Sequence, residues 1–234
     1  MRVLIFSVLL VLLVWLPVAA QVYQPLADLP ESGIVSIGLR GGIGLSTVVG
    51  QDAADSLSVG GTPAYKVGLT LGLVVTSHLR PSFWLGHELW LQQQGAVVYL
   101  RDEGGQTYAS RLRVQYLNVY PANFTLVGKQ IRVYAGPYLG MALSASIQHK
   151  DPSGQLQTDP SVFGNAQTLS GYVSKIDAGL CIGIDYAVKS RWTIGLRLQR
   201  GGLPIWHENT LSQSGQAKVY NQSGLLNIGY QLSH

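Results

Sequence analysis

The sequence predicts an all-β fold, an eight-stranded antiparallel up-and-down transmembrane β-barrel. Three observations carry that expectation. First, runs of eight or more residues alternate apolar and polar positions with the period of a two-faced strand. Second, only 12% of the 234 residues are charged, about half the usual quarter of a soluble domain, yet beyond the first twenty residues no apolar run approaches the ~20 residues of a membrane-spanning helix. Third, short and long connections alternate between the runs, as in bacterial outer-membrane barrels with short periplasmic turns and long outer loops.

The chain opens with "MRVLIFSVLLVLLVWLPVAA", which has one early cation, a short apolar run, a Pro17 break and small residues at 18–20. These features predict a cleavable export leader over residues 1–20, with the mature chain starting at Gln21. A short periplasmic segment, residues 21–32, then leads into a barrel domain over residues 33–234.

The first alternating run, residues 34–45, sets Val35, Ile37, Leu39, Ile43 and Leu45 against Ser36, Gly38, Arg40, Gly42 and Gly44. The second, 64–76, sets Tyr65, Val67, Leu69, Leu71 and Leu73 against Lys66, Gly68, Thr70 and Gly72. The third, 83–94, opposes Phe83, Leu85, Leu89 and Leu91 to Trp84, Gly86, Glu88 and Trp90, with His87 on the apolar side.

The fourth run, 112–126, places Leu112, Val114, Tyr116, Tyr120, Ala122, Phe124 and Leu126 in one phase and is broken near Leu117, Asn118 and Val119, which predicts a bulge there. The fifth, "IRVYAGPYLGMALSAS" at 131–146, is interrupted by Pro137. Every strand of a closed barrel has two neighbours and proline cannot donate to a ladder, so a local irregularity is expected at that residue. Three further runs, 175–186, 191–199 and 226–233, complete the eight. The connections "TSHLRPS", "VGKQ" and "VKSR" are the short ones, and those after the first, third, fifth and seventh runs read as about fourteen residues or more.

The polar faces are made of glycine, serine, threonine, tyrosine and single charges. They are too sparse for a solvated exterior, so they are assigned to the lumen and the apolar faces to lipid. An eight-stranded barrel has an interior that side chains fill. Glycines such as Gly72, Gly179 and Gly183 leave room there for Trp84, Trp90, Tyr134 and Tyr138. Arg40, Lys66, Arg113, Arg132 and Arg197 then face Glu88, Asp177 and Asp185, and with Tyr134 and Tyr138 they form the expected lumen network, because buried charges require partners.

No cofactor or metal site is expected. "GLRGGIG" sits within continuing strand alternation, with no helix after it, and so is not a dinucleotide loop. Cys181 is the only cysteine. His149 with Asp151 and His207 with Glu208 lack metal-ligand spacing. Cations are scattered singly, so the net charge of +4 does not point to nucleic acid. The expected partners are outer-membrane lipid and other outer-membrane or secretion-system proteins. Aromatic residues near run ends, including Tyr65, Tyr186, Trp192 and Tyr230, suit interface girdles.

Successive segments "VSIGLRGGIGLSTVVG", "YKVGLTLGLVV", "PSFWLGHELWLQQQGA", "VQYLNVYPANF", "RVYAGPYLGMAL" and "GLLNIGYQLSH" resemble the Bacteroidetes outer-membrane β-barrel family of PorT-like, or porin-family, proteins. The resemblance implies a non-enzymatic outer-membrane barrel with a structural or partner-binding role, and it carries type IX protein secretion as one role within the family. Two other readings stand beside it: a lipid-modifying enzyme using lipid-facing His87, and a narrow small-solute channel.

Overall fold

The structure is a computed structural model that describes residues 35–55, 58, 61–101, 105–150, 154–159, 174–189, 191–205 and 218–233. The leader, the segment 21–32, Asp151, His207 and Glu208 lie outside the described residues. Among the described residues there are nine strands: β1 (Val35–Val49), β2 (Ala64–Arg80), β3 (Phe83–Arg101), β4 (Thr107–Val127), β5 (Ile131–Lys150), β6 (Leu156–Asp159), β7 (Ile176–Lys189), β8 (Trp192–Gly201) and β9 (Tyr220–Ser233). One short helix, α1 (Gln51–Asp55), follows β1.

All pairings are antiparallel. The order β4-β3-β2-β1-β9-β8-β7-β5 is closed by a β4–β5 pairing, so eight strands form a ring without a free edge. The ninth, β6, pairs only with the outer end of β5 and stands outside the ring. Closure is what lets the backbone cross hydrocarbon with its ladder bonds made.

Several boundaries differ from the sequence expectation. β2 runs on to Arg80, which leaves residues 81–82 as the turn. β3 and β4 each extend past their alternating runs, so the second outer connection shrinks to residues 102–106. β9 begins at Tyr220, six positions before the last alternating run, because its early inward positions Asn221 and Ser223 are polar.

Burial assigns the faces. Leu69, Leu71, Leu139, Leu196, Leu226 and Ile228 are exposed on the outside, while Trp90, Tyr134, Asp185 and Arg197 are buried within. Tyr186, Trp192 and Tyr230 gather near the short-turn end, where the Trp192 and Tyr230 rings are 4.8 Å apart, and Tyr65 is exposed near the other end. This is the placement of interface aromatics.

The fourth run requires a correction. Leu112, Val114, Tyr116, Asn118 and Tyr120 are all buried in the lumen, whereas Phe124 and Leu126 are exposed outside. The two halves are joined by a register shift: His87 of β3 lies opposite both Pro121 and Ala122, and on the β5 side residues 120–123 face 136–138. Such a bulge moves one apolar phase from the inside to the outside of the wall.

The inner half obeys the lipid-out rule, and on β3 to β5 the outer half obeys the opposite one. On the outer surface, Leu91, Leu117 and Met141 form one cross-strand row; the next rows outward hold Gln93, Gln115 and Ser144, then Gly95, Arg113 and Ser146. Opposite these polar rows, the lumen holds Ala96, Val98, Leu112, Val114 and Ala145. Residues 83–91 of β3 therefore cover the hydrocarbon, about the ~9–11 residues a tilted strand needs. Above them this wall stands in the headgroup region and water, with polar rows outside and an apolar cluster inside beside the buried Gln94 and Ser110.

Candidate functional site

The lumen divides into two levels. Near the short-turn half, Glu88 from β3 accepts bonds from Arg197 Nη2 (2.5 Å), Trp90 Nε1 (2.5 Å) and Asn123 Nδ2 (2.7 Å). Arg197 is fully buried and also donates from Nε to Tyr134 Oη at 3.1 Å. Its guanidinium lies 4.4–5.1 Å from the ring centres of Tyr120, Trp90 and Tyr134, within cation–π range. The aromatic cage and the carboxylate together fix the cation across the middle of the barrel.

A second ion pair is bidentate. Arg40 Nη1 and Nη2 reach the two oxygens of Asp185 at 3.0 and 2.6 Å. Glycines provide the space: a Cβ at Gly195 would strike Asp185, one at Gly183 would strike the Tyr134 ring, and one at Gly72 would strike Trp90.

Arg132 and Asp177 are bound differently from the expected ion-pair network. Arg132 stacks on the Trp84 ring at 4.5 Å, and Trp84 in turn packs on His78 at 4.2 Å. Asp177 has no cationic partner among the described residues; its Oδ2 accepts from Tyr138 Oη and Asn221 Nδ2, both at 2.9 Å.

The remaining two expected members lie outside the network. Arg113 is on the outer surface, because β4 presents its even positions inward before the bulge. Lys66 is partly exposed, and its ammonium donates to the Val67 carbonyl at 3.4 Å.

Side chains the sequence reading left out complete the filling. Asn118 donates to Gln92 at 2.7 Å, Tyr120 donates to Gln199 at 2.6 Å, and Asn221 donates to Tyr116 Oη at 3.1 Å. Above them an apolar cap of Val48, Val98, Leu112, Val114, Ile205 and Val219 closes the outer half. The signal available for the cap was the apolar phase of residues 112–116, whose polar alternate positions are Arg111, Arg113 and Gln115.

His87 lies on the outer surface at the β3–β4 bulge, with Nδ1 2.5 Å from the Pro121 carbonyl oxygen. A bulge leaves a backbone carbonyl without a ladder partner, and hydrocarbon cannot supply one. His87 supplies it as a side-chain donor. Among the described residues no cluster of histidine, cysteine or carboxylate side chains could hold a metal, and no helix is long and apolar enough to cross a membrane.

Residues 20–203 match the family described as outer membrane protein beta-barrel domain. No curated protein matches the chain. Among solved structures, Neisserial surface protein A is similar at 10% identity and a TM-score of 0.47, covering 84% of this chain and 98% of that one. The outer membrane protein OprG from Pseudomonas aeruginosa is similar at 13% identity and a TM-score of 0.45, with 88% and 100% covered. Ail, the attachment invasion locus protein of Yersinia pestis, is similar at 13% identity and a TM-score of 0.43, with 86% and 100% covered. A closed ring of eight two-faced strands, apolar outside at membrane level and matched over most of its length by that family, places this chain in the outer membrane as a member of the outer membrane protein beta-barrel domain family.

Proposed function

We propose that this is a non-enzymatic outer-membrane barrel of the PorT-like kind, structural or partner-binding, acting through its outer loops and periplasmic turns rather than through its lumen. One observation carries the reading: the lumen is filled at two levels, by the caged Arg197–Glu88 pair and by the apolar cap above it. A solute path would have to break the buried pair and part the apolar cap. Planar-bilayer recordings of the purified protein should show no discrete conductance. Steps of reproducible size would overturn the reading.

The motif resemblance extends the proposal to a role beside the protein-secretion machinery of the outer membrane. Affinity capture from native outer membrane tests that link, since it predicts recovery of secretion-machine components. Their absence from the captured material would remove the link while leaving the filled barrel standing. The competing reading, a lipid-modifying enzyme, rests on His87 facing lipid. It is disfavoured because Nδ1 is engaged with Pro121 and no serine shares the outward face of β3. A His87→Asn variant should leave the lipid A profile of the cell unchanged.

A further inference from the structure

On the outer surface, just above the apolar band, a groove of about 560 Å³ crosses β2 to β5 and is lined by Lys66, Gln93, Arg113, Gln115, Ser144 and Ser146 among others. Its floor is shaped by a break in the wall. The β2–β3 register passes from Tyr65↔Ala96 directly to Thr70↔Gln92, which leaves four residues of β2 opposite three of β3. Gly95 lies in that break with φ +143°, a conformation open to glycine, and presents no side chain to the groove. Its carbonyl is bound from the lumen side by Ser46 Oγ at 3.0 Å, so the break is stabilised from within.

The groove is basic. Lys66 and Arg113 line it, the exposed Arg111 two positions along β4 adds a further like charge acting on Lys66, and no carboxylate lines the groove among the described residues. Cations gathered beside a groove with no carboxylate among its described lining residues call for an anion. The amides and hydroxyls around them can donate further bonds. Immediately below lie Leu69, Leu91, Leu117 and Met141 of the apolar band. The site therefore asks for one molecule with an anionic, oxygen-rich head and apolar chains.

We propose that this groove binds the phosphorylated headgroup of an outer-leaflet lipid, with Lys66 and Arg113 on the phosphate, Arg111 adding positive charge beside them, and the acyl chains along the apolar rows beneath. Lipid rather than a free anion is the occupant because the basic rows are continuous with the lipid-facing band. The proposal rests on the outer-membrane orientation with short turns in the periplasm, and it is independent of whether the lumen conducts.

Native mass spectrometry of the full mature chain, released from detergent with an equal mixture of phosphorylated and dephosphorylated lipid A, tests it. The wild type should retain the phosphorylated form with a preference of about tenfold or more, and the K66Q/R111Q/R113Q variant should lose that preference. A variant at the opposite end of the barrel, Arg191→Gln, should keep it. Heat-modifiable gel migration verifies that each variant is folded, and the single Arg113→Gln change on a solvent-facing position supplies a second, milder reading in the same direction. Equal retention of both lipids by the wild type, or an undiminished preference in the folded triple variant, would overturn the proposal. So would inorganic phosphate alone displacing the lipid at comparable concentration, because the site would then be a free-anion site.

Discussion

At the scale of single residues, Glu88, Arg197 and His87 show how buried polarity is handled on the two sides of a thin wall. Inside, Glu88 gathers three donors and Arg197 three aromatic faces, so removing one partner strands the other in a medium that cannot solvate it. Glu88→Ala should destabilise the barrel by about 3–5 kcal/mol in urea unfolding followed by heat-modifiable migration. The double change Glu88→Gln with Arg197→Met should recover much of that loss, because the unpaired charge is gone. Outside, His87→Ala should cost about 1–3 kcal/mol in the same assay, the penalty of an orphaned carbonyl in lipid. A neutral result for His87→Ala would mean that another group satisfies Pro121.

At the scale of elements, β4 and β5 explain what was legible in the sequence and what was not. The eight crossing strands, their lipid face and the short turns were readable, because period-two alternation and turn chemistry are local properties. Pro137 announced an irregularity, and one is present. It lies on the β4 side, where four residues oppose three, while the β7 side keeps a continuous register through Pro137↔Leu180. The inversion of β4 was not readable in the same way. Leu112 and Leu126 share one alternation phase and both are apolar, and only the bulge between them decides that one faces the core and the other lipid. Arg113 was assigned to the wrong face for that reason. The glycines make the reciprocal point, since their inward positions record where neighbouring strands carry large rings. Gly72→Ala should push on Trp90 and cost about 1–3 kcal/mol, visible as a lowered urea midpoint. The same change at Gly41, on the outer face, meets only ordinary contacts and should be nearly neutral.

At the scale of the whole molecule, the barrel is two packing regimes stacked along one axis. The inner regime is lipid outside and polar inside; in the outer regime the β3–β5 wall is polar outside and lined inside by an apolar cluster, with the border on β3 and β4 between the Leu91 and Gln93 rows, while Leu45, Tyr65 and Val67 keep β1 and β2 apolar outside. The partners of Glu88, Arg197 and Asp185 lie on different strands, at sequence separations of 109 and 145 residues, so their pairing follows from ring closure rather than from any local motif. Residue types suited to the lumen could be named from the sequence; which of them meet could not.

The most direct test is a cysteine scan of β4 in a Cys181→Ser background, reading the reaction of each site with a membrane-impermeant maleimide in intact outer membrane. Sites 107 and 109, exposed beyond the groove, should react rapidly. Sites 112, 114 and 116 should be protected by the filled lumen, and sites 124 and 126 should be protected by lipid. Rapid labelling at 112, 114 and 116 would contradict the two-regime barrel, because it would require water where the apolar cap is placed.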